Sequence, residues 1–254
     1  MILVVNGCSH TTGAEIDSHH SPHCFEKAWP AHLSELLGWE VINLARSGGS
    51  AKRVVRTTIN WLGAHYKKEM QNNIIFIALW PGVSRTELKT DRHLYENDAG
   101  DCYEEDGMWI TLNTGNLESY ERAAKDGWFP KPVLQYYKHW LNVVTQEEFE
   151  EQHYLNIISL QSVLKSLGVP YIFQNSTSAL NWTNPYARLH PLVDKRWFPG
   201  WNNYKAGYDQ ILKSQGFKYP EWSTSHFGED GHKWYAKYMY QMLKSKYPHL
   251  TSAE

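Results

Sequence analysis

A serine, two glycines, a hydroxyl–guanidinium pair and a histidine stand at positions in this sequence where nucleophilic and acid–base chemistry can be built. Gly7-Cys8-Ser9-His10-Thr11 follows an apolar run, Ile2–Asn6. A small residue and then Ser at a strand end lift a hydroxyl to the rim of a sheet, where N–H groups of the next turn face an anion. On position alone, capping of the following segment by Ser9 explains the pattern equally well. Asn43-Leu-Ala-Arg-Ser-Gly48-Gly49-Ser50 follows a second short apolar run. Paired glycines at a helix entrance let a backbone N–H approach a ligand, although a tight turn needs them just as much. The phosphate-loop spacing, Gly-x-x-x-x-Gly-Lys-Ser/Thr, is absent. Trp80-Pro81-Gly82-Val83-Ser84-Arg85 follows a third run and offers a hydroxyl and a guanidinium. Ser225-His226-Phe-Gly-Glu-Asp-Gly231-His232 opens the last helical pattern. A His just before a helix can reach across the rim, and its ordinary pKa suits general-base work. His232, inside the helix, is expected to pack.

The elements that must position these residues alternate. Strands are expected over residues 2–6, 41–44, 74–79 and 171–174. Helices are expected from Trp29 to Gly38, from Ser50 to about residue 70, over 146–167, around 203–214 and over 229–246. Continuous apolar strands separated by helices indicate a parallel sheet covered on both faces. Residues 84–145 and 175–222 are rich in turn signals and aromatics and read as loop-rich insertions. The whole, 1–254, reads as one domain with two decorations. In such sheets the active site lies beyond the carboxyl ends of the strands, where the Ser, Gly and His loops fall.

Composition narrows the function. The 254 residues carry 25 Lys and Arg against 27 Asp and Glu, a net charge of −2. No basic excess exists for a polyanion, so nucleic acid is excluded as a first reading. No apolar run approaches the roughly 20 residues of a membrane span. Cys8, Cys24 and Cys102 follow no disulfide framework, and the chain opens directly on a strand, so a cytoplasmic location is expected. Cys8 reads as a small buried thiol. His19, His20, His23 and Cys24 are ligand-type residues, but their spacing matches no standard zinc pattern, and no metal is expected. Aromatics make up 14% of the chain, with twelve Trp. Trp29, Trp39, Trp61 and Trp234 fall on helical patterns. Trp109, Trp128, Trp140, Trp182, Trp197, Trp201 and Trp222 fall in the insertions, which are expected to overhang the Ser–His rim and set specificity.

The ordered set of motifs resembles the SGNH (GDSL-type) hydrolase family: Gly-x-Ser after strand one, Asn-x-x-x-x-Gly after strand two, a polar loop after strand three, and His-x-x-x-x-Gly-His before the last helix. The chain is most similar to a branch with Gly-Cys-Ser in place of Gly-Asp-Ser. The resemblance implies a three-layer α/β/α sandwich with a mostly parallel sheet, the flavodoxin-like SGNH fold. It implies a serine esterase with Ser9 as nucleophile and His226 as base, with Ser9 and Gly48 N–H groups in the oxyanion hole, and no cofactor. Substrates would be small-molecule or glycan esters, O-acetyl groups among them, with no particular oligomeric state implied. Two departures stand out. The Asn of the family's third motif is missing, and Ser84 or Arg85 stands nearest its place; Arg85, Trp80 and Trp222 are the candidate substrate contacts. The acid normally three residues before the His is replaced by Ser223. A backbone carbonyl, a loop carboxylate such as Asp194, or a separate Glu229–His232 pair are the alternatives. An acyltransferase using the same site, and a binding domain that keeps only the fold, are the rival readings.

Overall fold

The computed structural model describes residues 1–17, 23–71, 73–89, 109–177, 185–198 and 205–251. Four parallel strands form the central sheet in the order β2-β1-β3-β6: β1 Ile2–Asn6, β2 Glu40–Asn43, β3 Ile74–Trp80 and β6 Tyr171–Asn175. All seven residues of β3 are buried, as a strand covered on both faces requires. Ile74, Phe76, Ala78 and Trp80 face one layer, and Ile75, Ile77 and Leu79 face the other.

The first layer is α3 (Ala51–His65) and α6 (Gln146–Leu167). Val54, Thr58 and Leu62 are spaced four apart and buried along α3, the spacing of one helical face. Ser50 caps that helix by accepting from the Arg53 N–H at 3.1 Å, and Thr145 caps α6 by accepting from the Glu148 N–H. Both satisfy donors that a helix start leaves unpaired. The second layer is α2 (Trp29–Leu37), α7 (Tyr208–Ser214) and α8 (Glu229–Lys246). A short α1 (Ser9–Thr12) directly follows β1, and α9 (Pro248–Thr251) follows α8. The architecture is therefore the expected three-layer α/β/α sandwich.

The helix between β1 and β2 lies on one face of the sheet, and those following β2 and β3 lie on the other. The chain thus leaves β1 and β3 in opposite directions. That reversal opens a crevice at their carboxyl ends.

The expectation of a loop-rich first insertion is corrected. Strands β4 (Arg85–Lys89) and β5 (Trp109–Asn113) form an antiparallel pair, and α4 (Leu117–Lys125) and α5 (Lys131–Val143) pack against it. Ile110, Leu112, Tyr120, Phe129 and Tyr137 give the insertion a small core of its own. Three of its aromatics meet there: Tyr120 stacks on Phe129 at 4.8 Å and meets Tyr137 edge-on at 5.0 Å. Trp109 lies under the Arg56 guanidinium at 4.1 Å, tying the strand pair to α3. In the second insertion Trp197 stacks on Tyr247 at 4.7 Å. Trp182 and Trp201 lie outside the described residues.

Candidate active site

Gly7 brings the end of β1 so close to its neighbours that only a glycine fits. A Cβ there would meet Thr11 Oγ1 at 2.3 Å and the Leu79 carbonyl at 2.8 Å. Cys8 then takes an extended conformation, and Ser9 becomes the first residue of α1. A first helical residue has no intrahelical acceptor for its N–H. Asn6, at the end of β1, fixes this corner from below. Its amide donates to the Val54 carbonyl and to the hydroxyls of Thr57 and Thr58, and its Oδ1 accepts from the Gly7 N–H at 2.8 Å.

The turn after β2 lies against the same corner. Asn43 Nδ2 donates to the Thr11 carbonyl at 3.2 Å, and the Arg46 N–H donates to the Gly7 carbonyl. The turn closes through Gly49 N–H to the Arg46 carbonyl at 2.9 Å, with Gly48 at φ +75°. That left-handed conformation at the third position of a turn is why glycine stands at 48. Neither the Ser9 N–H nor the Gly48 N–H donates to a described residue. Arg85, at the start of β4, reaches the turn too: its Nη1 donates to the Gly49 carbonyl at 3.3 Å. Ser84 stands at the root of the strand pair, where its carbonyl accepts from the Thr114 N–H.

His226 precedes α8, and its partner is a residue the sequence did not single out. His226 Nδ1 lies 3.0 Å from Glu15 Oε2 and 3.1 Å from Ser225 Oγ. Glu15 has φ +57°, the one non-glycine residue with positive φ among the described residues. A side chain in this region costs about 1–2 kcal/mol, so the surroundings must hold it there. They do so from both ends. Trp222 Nε1 donates to the Glu15 carbonyl at 3.1 Å, and Ser223 Oγ donates to Glu15 Oε2 at 2.5 Å. Ser223 Oγ also accepts from the His226 N–H at 3.0 Å. Ser223, at the position where the resemblance implies an acid, thus holds a carboxylate from beyond α1 against His226. The carboxylate favours the tautomer with its proton on Nδ1, leaving the Nε2 lone pair available. Nε2 has no hydrogen-bond partner among the described residues.

His10 was also missed. Its ring is buried between Tyr208 (centroids 5.1 Å apart) and His226 (5.0 Å). Burial first, and the neighbouring His226 second, hold its pKa well below the ordinary histidine value. It therefore remains neutral beside His226 at neutral pH.

The alternatives to Glu15 are engaged elsewhere. Asp194 pairs with Lys165 at 2.6 Å and Arg196 at 3.3 Å. Glu229 pairs with Lys233 at 2.7 Å and faces His32, not His232. His232 is a packed core histidine, as expected. Its Nδ1 accepts from the Trp29 N–H at 3.1 Å, Nε2 meets the Tyr208 hydroxyl, and burial lowers its pKa to about 3.

One expected substrate contact is overturned. Trp80 is the last residue of β3 and has no exposed surface; it packs edge-on to Phe173 at 5.2 Å and His153 at 5.7 Å. It belongs to the core and cannot reach a substrate. Trp222 is 42% exposed beside Glu15, and Arg85 stands at the Gly48–Gly49 turn. Cys8 is a buried free thiol. Of the His–Cys cluster, His19 and His20 lie outside the described residues. The Cys24 thiol donates to Glu26 Oε1 and is pushed up to about 11, by burial first and then by the Glu26 hydrogen bond.

With this geometry in view, comparisons place the sequence. A model of a family of unknown function (DUF6071) matches residues 15–195. The chain belongs to that family. No curated protein matches it. Several solved structures are similar to this family member over most of its length. One is a putative lipolytic protein of the G-D-S-L family from Desulfitobacterium hafniense, 13% identical, covering 95% of this chain and 99% of that one, with a TM-score of 0.49. Another is the psychrotrophic esterase EstA from Pseudoalteromonas sp., 10% identical, covering 96% and 97%, at 0.46. A third is the acetyl xylan esterase Est2A from Butyrivibrio proteoclasticus, 12% identical, covering 96% of this chain and 64% of that one, at 0.45. No helix among the described residues is long and apolar enough to cross a membrane.

Proposed function

We propose that this chain is a serine-dependent ester hydrolase in which Ser9 attacks, His226 serves as base and Glu15 orients His226. The observation that carries the reading is the 3.0 Å contact between Glu15 Oε2 and His226 Nδ1. It supplies the acid that the resemblance requires and the motif spacing lacks. The substrates are small-molecule or glycan esters.

In this mechanism Nε2 of His226 takes the Ser9 proton as Oγ attacks the ester carbonyl carbon. The carbonyl oxygen becomes an oxyanion, met by the N–H groups of Ser9 and Gly48. The tetrahedral intermediate collapses, the imidazolium gives its proton to the leaving alcohol, and an acyl-Ser9 ester remains. Water then gives a proton to Nε2 and attacks the acyl carbon; the bond to Ser9 Oγ breaks, Oγ takes the proton from the imidazolium, and the acid leaves. Glu15 stabilises the imidazolium in both halves and keeps its ring in one tautomer. Arg85, beside the Gly48–Gly49 turn, brings a positive charge to the place left by the missing Asn, with the Ser84 hydroxyl as the alternative third donor.

Hydrolysis of p-nitrophenyl acetate tests the reading. His226→Ala is expected to lower kcat by about 10²–10⁴-fold, the contribution of a positioned general base. Turnover undiminished in that variant would sink the assignment.

A further inference from the structure

Arg85 carries a charge that no acid among the described residues balances. It is the first residue of β4 and is half-buried. Its Nη1 donates to the Gly49 carbonyl at 3.3 Å, and no carboxylate among the described residues pairs with it. A guanidinium has five N–H donors in a fixed fork, so most of them lack a protein partner here. Charged groups drawn out of water are ordinarily paired. The nearby acid of β4 is spent: Glu87 accepts from Arg56 with both oxygens, at 2.9 and 3.0 Å. Glu15, the acid of the catalytic corner, is held by His226 and Ser223. Lys52, exposed in the first turn of α3, adds a second charge without an acid, its Nζ donating only to the Glu87 carbonyl at 3.4 Å.

The guanidinium reaches the catalytic corner through contacts that run residue by residue. Gly49, whose carbonyl it holds, lies against Gly7: a Cβ on Gly49 would stand 3.0 Å from the Gly7 carbonyl. That same carbonyl accepts from the Arg46 N–H. Gly7 is followed by Cys8 and Ser9. Just past Ser9, the His10 ring senses the charge. Burial lowers the His10 pKa most, His226 and His232 follow, and Arg85 contributes next. A charge acts on a pKa in this way only from nearby. Arg85 therefore belongs to the wall of the crevice that bears Gly48.

A transition-state oxyanion does not answer this charge by itself. It exists only along the reaction path, whereas the guanidinium is charged throughout. A group that is already anionic in the bound substrate does answer it, and a planar carboxylate matches the guanidinium fork with two parallel hydrogen bonds. We infer that Arg85 selects esters bearing a carboxylate, holding that group beside the Gly48–Gly49 turn while the ester carbonyl lies at Ser9. The cleavage step rests on the ester-hydrolase reading; the anion site does not.

An oxyanion role alone would slow anionic and neutral esters alike, so the test compares the two. Ser9→Ala protein is titrated with two matched pairs, followed by saturation-transfer NMR. Monomethyl succinate against methyl butyrate puts the carboxylate in the acyl part, and acetoxyacetate against propyl acetate puts it in the alcohol part. In at least one pair the anion is expected to bind about tenfold or more tighter. Arg85→Gln should abolish the preference. Arg85→Lys, which keeps the charge but not the fork, should retain part of it. Raising NaCl from about 0.05 M to about 0.5 M should shrink it, a readout that stands even if Arg85→Gln fails to fold. The inference is overturned if the neutral esters bind as tightly, if the preference survives Arg85→Gln or ignores salt, or if no ester binds. Selective binding with no hydrolysis of these esters or of p-nitrophenyl acetate by the unmodified protein would keep the anion site and sink the ester-hydrolase reading. Hydrolysis without an anionic preference would do the reverse.

Discussion

Replacing Glu15 by Gln keeps the length and shape of the side chain but removes its charge. The contact at stake spans 3.0 Å, with the His226 side chain 13% and the Glu15 side chain 34% exposed. Coulomb attraction across that gap is about 1.4 kcal/mol at the dielectric of water and about 5.5 kcal/mol at an effective value of 20. Partial exposure puts the loss between these limits, at about 3 kcal/mol. Since 1.36 kcal/mol is a factor of ten in rate, kcat should fall about 100-fold. KM should change little, because the imidazolium exists only along the reaction path. The assay is the steady-state hydrolysis of p-nitrophenyl acetate. A structural role for Glu15 alone is separated by rescue. Ser223 Oγ lies 2.5 Å from the same carboxylate oxygen, so Ser223→Asp in the Glu15→Gln protein puts a charge back beside His226. About tenfold or more of the lost rate should return. If Glu15→Gln retains full kcat, or if the loss is matched by a lowered melting temperature and Ser223→Asp restores nothing, the orienting role is refuted.

Stability should fall with acid before the carboxylates titrate. His153 and His232 have folded pKa values lowered to about 4 and 3, whereas in the unfolded chain they titrate near 6.5. As pH drops below about 6.5 the unfolded state takes up protons and the folded state does not, so from pH 7 to pH 5 each histidine removes about 2 kcal/mol. Urea midpoints at the two pH values check this, and an unchanged midpoint contradicts it. Gly7→Ala should cost about 1–3 kcal/mol by overpacking, because the Leu79 carbonyl is a backbone atom that cannot swing away; a melting temperature equal to that of the unmodified protein would count against the close approach. Glu87→Ala should cost about 3–5 kcal/mol, since it strips a buried carboxylate from Arg56,; chemical denaturation measures it, and a loss below about 1 kcal/mol would mean that the pair behaves as a surface contact.

Much of the sandwich was legible because its signals are local. The strand Ile2–Asn6, the helix Gln146–Leu167 and the helix Glu229–Lys246 fall where apolar runs, caps and glycine stops put them. The placement of Ser9, Gly48 and His226 was also legible, since each follows or precedes such an element. Glu15 was not, because the acid and its histidine are 211 residues apart and only the folded chain joins them. One signal was available: an acid six residues beyond Ser9, just past a glycine-ended turn. Trp80 misled because Pro81-Gly82 reads as the start of a loop, while β3 runs one residue further and its alternation turns the indole into the core. The first insertion misled in the other direction. Tyr120, Phe129 and Tyr137 come from different elements and form a core without a common period.

Covalent trapping asks directly whether Ser9 is the nucleophile. A fluorophosphonate transfers its phosphoryl group to an activated serine with loss of fluoride, and intact-mass and peptide analysis locate the adduct. One adduct on Ser9 is expected, formed at least about 100-fold more slowly in His226→Ala and absent in Ser9→Ala. No adduct on the unmodified protein, or an adduct that persists in Ser9→Ala, would contradict the account.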